Sequence, residues 1–409
     1  MISPTRILQI ISFLDLFSIG LVLPQLANRA LALGCNHILI GIMGALYSGF
    51  QLISGPIAGS LSDIKGRKPI LLLSLCVCGI AYLLLGLTSS IAVFFALRSI
   101  LGLSKQTQLL TNALAPDYVK DGAQQSVAYG RIASLSGIGM SLGPIISGHV
   151  MEAYPDSGFT IITSAMGIIF ALNFGLVKTL PDVKKKKEDR ANSAIASNLM
   201  GSIIKSLKQS IGELYKIDWT TYWDVFLVKL IVTLAMGLYF SSFALFLKTE
   251  HQVQPKNLGY IVSIQGVFGS LSTYFIGYIN AIYSDPANFS RRIFDVFFVL
   301  TLSFTCMAAA PNVASFAIIL VPFAMSTAIS RVLTMEIITT RCKSSNRGTV
   351  IGASTSVKSL SGIITPLISG IIIQYLGLIY AFYTAALISS LGIIASFKIE
   401  STDVKEKSK

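Results

Sequence analysis

Charged side chains are scarce in this sequence. Lys, Arg, Asp and Glu make up 12% of its 409 residues, whereas a soluble protein has about 25%. Histidine is rarer still, with three widely separated residues, His37, His149 and His251. These absences exclude an ordinary soluble domain and leave no cluster of side chains typical of a metal site or a catalytic nucleophile. We therefore expect no metal, no cofactor and no enzymatic activity.

Cysteine is equally uninformative, because the chain has only five. They are Cys35, Cys76, Cys78, Cys306 and Cys342. Their spacing matches no zinc motif and predicts no disulfide framework.

Long apolar runs are what the sequence has in abundance. Hydrophobic residues make up 53% of the chain, and the mean hydropathy is +0.70. Runs of roughly 20 residues, the length that crosses a hydrocarbon core, recur at 7–27, 38–60, 70–88, 91–112, 128–150, 158–178, 223–247, 258–280, 293–310, 314–336, 349–373 and 377–398. The sequence therefore predicts an all-α polytopic membrane protein with twelve transmembrane helices, embedded in a lipid bilayer.

The net charge of +13 is distributed unevenly over the predicted loops. With a cytoplasmic N-terminus, the outer loops hold only Arg29, Lys248 and Lys256, and most other basic residues fall on the inner side. This asymmetry follows the positive-inside rule. It predicts cytoplasmic N- and C-termini and removes the reason to infer nucleic-acid binding. It does not distinguish a plasma membrane from an intracellular one.

The longest polar segment divides the chain into two halves. We expect an N-terminal six-helix bundle at 1–179, a cytoplasmic central loop at 180–222, a C-terminal six-helix bundle at 223–398 and a cytoplasmic tail at 399–409. Apolar residues recur at helical spacing within the loop, at Leu199, Ile203, Leu207, Ile211 and Leu214. This pattern predicts an amphipathic helix on the inner membrane surface, with a solvated linker as the alternative.

An internal repeat supports the division into halves. Gly130, Pro144, Ser147 and Gly148 in the fifth span match Gly352, Pro366, Ser369 and Gly370 in the eleventh. Every pair is 222 residues apart. A constant offset indicates two pseudo-symmetric copies of a six-helix unit.

Three motifs give the chain a family resemblance. Gly59, Leu61, Asp63, Gly66, Arg67 and Lys68 form a G-x-L-x-D-x-x-G-R-K signature between the second and third spans; Arg98 and Gly102 lie in the fourth span; Gly139, Gly143, Pro144 and Gly148 lie in the fifth. The chain resembles the major facilitator superfamily, in particular its drug:proton antiporter branch with the tetracycline-efflux type and animal orphan relatives. Asp15 and Pro24 are similar to the first helix of that branch. Leu101 and Ser147 depart from the family motifs.

The resemblance implies transport by alternating access. It also implies that Asp63 contacts the start of the eleventh span, so that the signature acts as a conformational latch. Physically, PLACEHOLDER Gly139 and Gly143, four residues apart, would allow close backbone approach, while Pro144 bends the helix.

Ionisable residues inside the spans are the strongest functional signal, because each costs about 2.5–3.5 kcal/mol to insert. Asp15, Arg98 and Lys358 lie deepest, and Lys105 shares a predicted face with Arg98. Lys358 continues a polar stripe, predicted to face water, of Ser354, Ser361 and Thr365. For Lys229, Arg331, Asp224 and Glu336, nearer the inner border, snorkelling or ion pairing is the favoured interpretation.

These residues predict a substrate pathway with net positive charge. We expect an anionic or zwitterionic small organic solute, whereas the resemblance favours drug-like substrates in general. Protons are a second expected partner if transport is proton-coupled, with Asp15 as the carrier, and the protein is expected to act as a monomer. Tyr239, Phe240 and Phe268 fit generic packing better than a solute site. A non-transporting membrane sensor or scaffold is the competing interpretation.

Overall fold

The computed structural model describes residues 3–119, 122–181, 219–275, 278, 289–341 and 347–407. The described residues form helices and no strand. The helices are α1 (Pro4–Ala32), α2 (His37–Lys65), α3 (Arg67–Leu87), α4 (Ile91–Ser104), α5 (Thr107–Tyr118), α6 (Gly122–Ala153), α7 (Gly158–Thr179), α8 (Trp219–Glu250), α9 (Pro255–Tyr274), α10 (Phe289–Ala308), α11 (Val313–Arg341), α12 (Arg347–Tyr375) and α13 (Leu378–Lys407). The amphipathic helix predicted around Leu199–Leu214 lies outside these ranges.

The twelve predicted spans correspond to these helices, with one correction. The sequence predicted a continuous fourth span at 91–112, but the structure has a 14-residue α4 and a 12-residue α5 separated by Lys105 and Gln106. Eight helices in the described part of the chain are long and apolar enough to cross a membrane by themselves. The protein is thus an all-α polytopic membrane protein, and α4 with α5 counts as one of its twelve spans.

The chain separates into two compact units. Residues 1–34 and 46–215 form the first unit, and residues 35–45 and 216–409 form the second. The first residues of α2 therefore belong to the second unit, where Gly41 packs against Pro366 and Gly370 of α12. The remainder of α2 packs on α4, where Gly102 lies against the backbone of Tyr47.

Small residues let the helices of the first unit approach closely. On α6, a Cβ at Gly139 would lie 2.5 Å from the carbonyl oxygen of Phe13, and one at Gly143 would lie 2.7 Å from the backbone of Gly20. Backbone approach of this kind is the usual packing device of membrane helices. It fixes the register of α1, and with it the position of Asp15.

The second unit repeats this arrangement with a different residue. Thr365 of α12, the counterpart of Gly143 at the offset of 222, packs against Gly237 of α8, where a Cβ would lie 2.7 Å from its Cγ2. Beyond this contact lies an aromatic core in which the ring of Tyr239 is 4.5 Å from that of Phe323 and 4.9 Å from that of Phe243. The core holds α8 and α11 together.

Candidate functional site

The break in the fourth span is stabilised by polar side chains of the neighbouring helices. Gln51 Nε2 donates to the carbonyl oxygen of Lys105 at 3.3 Å, and the Ser74 hydroxyl donates to the last carbonyl of α4 at 2.5 Å. Gln106 Nε2 donates to Ser54 Oγ at 2.7 Å. Irregular backbone inside a membrane protein requires such internal partners, because lipid offers none. The break is therefore a built feature of the first unit.

The break turns the Lys105 ammonium towards Asp15 of α1. The two side chains form a buried ion pair, with Asp15 fully inaccessible and the side chain of Lys105 3% exposed. Gln108 Nε2 donates to the second carboxylate oxygen at 3.2 Å. The ammonium also lies 5.1 Å from the centre of the Phe170 ring. One carboxylate and one cation are thus matched in charge within this pair.

Arg98 adds a second buried cation to this unit. Its guanidinium carbon lies 4.2 Å from the centre of the Tyr47 ring, and the residue is 7% exposed. Its Nε has no hydrogen-bond partner and, among the described residues, no carboxylate lies within ion-pair distance. The group of Asp15, Lys105 and Arg98 therefore carries a formal net charge of +1.

A cavity of about 380 Å³ lies near the start of α1 and the start of α6 in the same unit. Its polar lining comes from Thr5, Gln9, Gln124 and Arg131, and its apolar wall includes Val119. Arg131 is the charged member of this lining. The cavity is thus also electropositive.

The predicted polar stripe on α12 divides into two kinds of residue. Lys358 is exposed, but Ser354, Ser361 and Thr365 are buried. The hydroxyls of Ser361 and Thr233 of α8 lie 2.8 Å apart, so Ser361 joins two helices. In this structure only Lys358 is available to water, and its three small neighbours hold α12 against α8.

A family model described as Major Facilitator Superfamily matches residues 7–279 and 225–409. The chain belongs to the major facilitator superfamily. Tetracycline resistance protein, class B, of Escherichia coli is 34% identical over 167 residues, 39% of this chain and 40% of that protein. Solute carrier family 22 member 18 of Mus musculus is 24% identical over 416 residues, 99% of this chain and 97% of that protein. These relatives confirm the predicted resemblance.

The fold likeness extends to solved structures. The crystal structure of the human organic anion transporter MFSD10 (TETRAN) aligns with a TM-score of 0.63 at 18% identity, over 96% of this chain and 98% of that one. At this identity the likeness establishes the fold alone. Membership of the superfamily indicates a membrane transporter rather than an enzyme.

The superfamily signature of this chain is organised around Arg67. Its guanidinium bonds the Asp117 carboxylate of α5 at 2.5 Å and lies 4.0 Å from Asp63, while Lys68 Nζ donates to the carbonyl oxygen of Leu180 at 2.6 Å. Gly66 has a φ of +100°, which an L side chain rarely adopts. The predicted partner of Asp63 at the start of α12 lies among side chains that the structure does not describe.

The structure corrects the interpretation of Gly59. A Cβ at this position would meet nothing within 4 Å, so close helix packing is not the reason for a glycine here. In the fifth span, by contrast, Gly139 and Gly143 lie against α1, and a Cβ at Gly20 would lie 3.1 Å from Cδ of Pro144. Gly148 is buried at the other end of that motif.

Two ion pairs reveal residues that the motifs did not identify. Asp117 was not singled out, although its position near the end of the fourth span was a usable signal. In the second unit, Arg292 of α10 donates to both carboxylate oxygens of Glu336 of α11, at 3.0 and 2.7 Å. Glu336 thus forms the inter-helix pair expected for it, and Arg67 with Asp117 is its counterpart in the first unit.

Proposed function

We propose that the protein is a secondary transporter that carries a small organic solute by alternating access and prefers anionic and zwitterionic solutes to cations. The observation that carries the preference is Arg98, a buried guanidinium with no carboxylate partner among the described residues. Burying a charge without a partner costs several kcal/mol. A negatively charged solute group would recover part of this cost, and a cationic group would add to it.

Two further facts support the proposal. Arg131 gives the cavity of the first unit a positive charge. A solved structure with the same fold is that of an organic anion transporter, although the substrate argument rests on the charges of this chain. The Asp15 carboxylate contributes little negative charge to a solute, because Lys105 already neutralises it.

The test is solute flux into vesicles that contain the purified protein. Three aromatic probes of similar size differ in charge: benzenesulfonate, phenylalanine and benzyltrimethylammonium. We expect protein-dependent flux of the first two to exceed that of the third. Flux of the cation alone would contradict the preference, and no flux of any probe or drug-like solute would favour a sensor or scaffold.

Arg98→Gln is expected to lower benzenesulfonate flux about tenfold or more. A hydrogen bond to a charged group contributes about 1.5–3 kcal/mol, and 1.4 kcal/mol corresponds to a factor of ten. Arg6→Gln is the matched control, since Arg6 is exposed and its loss also removes one positive charge. An equal decrease in both variants would show that net charge, and not Arg98, determines the flux.

Proton coupling remains part of the proposal, with Asp15 as the carrier. Protonating this carboxylate would leave Lys105 buried without a counter-charge, so the two residues have to be replaced together. If Asp15 carries the proton, Asp15→Asn/Lys105→Met loses the stimulation of uptake by a pH gradient. Stimulation that persists in this variant would exclude Asp15.

A further inference from the structure

Three cations of the second unit lie at the same depth on three different helices. Lys229 is ten residues after Trp219, the first residue of α8; Lys358 is eleven residues after Arg347, the first of α12; and Arg331 is ten residues before Arg341, the last of α11. At 1.5 Å per residue, each lies about 15 Å from its helix end. All three ends lie on the predicted inner side.

The contact between α8 and α12 brings two of these cations together. The hydroxyls of Thr233 and Ser361 lie 2.8 Å apart and fix the register of the two helices. Lys229 is four residues before Thr233 and Lys358 is three residues before Ser361, so both lie about one turn from this bond, on the same side of it. Lys358 and Arg331 both act electrostatically on Lys229.

No carboxylate compensates this cluster among the described residues. Glu336 lies five residues after Arg331, about 140° around α11, and its carboxylate is held by Arg292. Asp224 lies five residues before Lys229, at the same angle around α8, and the charges that act on Lys229 are positive. Lys229 is partly exposed, and Arg331 and Lys358 are exposed, so the cluster is accessible.

Three adjacent cations inside membrane-spanning helices are unfavourable unless they face water or bind negative charge. We propose that Lys229, Arg331 and Lys358 form a binding site for the multiply charged part of an organic anion, such as a disulfonate, a dicarboxylate or a phosphomonoester. This inference rests on the proposed function, because it takes anion transport as given. It adds that solutes with two or three negative charges are preferred to those with one.

The experiment uses benzenesulfonate, benzene-1,3-disulfonate and benzene-1,3,5-trisulfonate, which share a ring and differ in charge. Binding to the purified full-length protein is measured by calorimetry, and flux is measured in vesicles. We expect the disulfonate to bind at least tenfold more tightly than the monosulfonate. Phenyl phosphate, tested in parallel, distinguishes a preference for phosphate from a preference for charge.

Lys229→Gln, Arg331→Gln and Lys358→Gln are each expected to reduce the affinity ratio between disulfonate and monosulfonate to about threefold or less. Lys358→Arg is expected to retain the ratio, because it keeps the charge. Lys248→Gln is the control, since it removes one exposed lysine near the other end of α8. Raising the salt concentration should also reduce the ratio, because it screens exposed charges.

Failure of this inference can be distinguished from failure of the proposed function. If the wild type carries benzenesulfonate and all three probes bind equally, the cluster is not a multivalent anion site, but anion transport stands. Glutamine variants with higher thermal stability and unchanged binding would mean that the three cations only repel one another. If no anion binds or moves, both proposals fail.

Discussion

Lys105→Met is expected to destabilise the folded protein by about 3–5 kcal/mol, the usual cost of removing one partner from a buried ion pair. The variant leaves the Asp15 carboxylate fully buried with Gln108 as its remaining side-chain donor. In a thermal unfolding experiment in detergent, the midpoint should fall well below that of the wild type. Asp15→Asn should have a similar effect, because it leaves the Lys105 ammonium buried next to Phe170.

The double variant Asp15→Asn/Lys105→Met separates the ion pair from simple loss of packing. Both charges are then absent, so its midpoint should lie closer to that of the wild type than either single variant does. Residues in direct contact typically couple by 0.5–3 kcal/mol. Lys178→Met, at an exposed position of the same unit, controls for the loss of a lysine. Additive effects of the two single changes would show that the pair does not stabilise the fold.

Gly143→Leu is expected to force α6 away from α1. Its Cβ alone would lie 2.6 Å from the carbonyl oxygen of Phe17 and 2.7 Å from the backbone of Gly20, and backbone atoms cannot move aside as a flexible side chain can. Overpacking typically costs 1–3 kcal/mol, and we expect at least that loss, measured as a lower unfolding midpoint and a lower yield of folded protein.

The control for this change is Gly137→Leu on the same helix. A Cβ at Gly137 would meet nothing within 4 Å, and leucine is a better helix former than glycine by up to about 1 kcal/mol. Its midpoint should therefore equal or exceed that of the wild type. Equal losses at both positions would mean that the contact between α1 and α6 is more adaptable than its geometry indicates.

The sequence predicted the spans because the length of an apolar run is a local property that the bilayer thickness determines. The break in the fourth span was not predicted, although the polar run from Ser104 to Gln108 marks its position. Arg98 and Lys105 were assigned to one helix face on the assumption of a continuous helix. The break separates them, and Lys105 instead pairs with Asp15, ninety residues away in sequence.

Pairing across helices was the least predictable part of the candidate site. Arg98 had been expected to be the cation next to Asp15, and nothing in the spacing of the chain distinguishes it from Lys105. Lys229 and Arg331 were attributed to the membrane border, because depth was judged from approximate span limits. The helix ends place both at the level of Lys358. Their shared depth requires coordinates, or at least correct helix bounds.

The broken fourth span also has a consequence for biogenesis. At 1.5 Å per residue, α4 extends about 21 Å and α5 about 18 Å, so neither crosses a hydrocarbon core of about 30 Å alone. The polar groups at the break are bonded by Gln51, Ser54 and Ser74, which emerge earlier from the ribosome. The second and third helices should therefore remain near the translocon until the fourth segment arrives, so that the segments enter the lipid as a group.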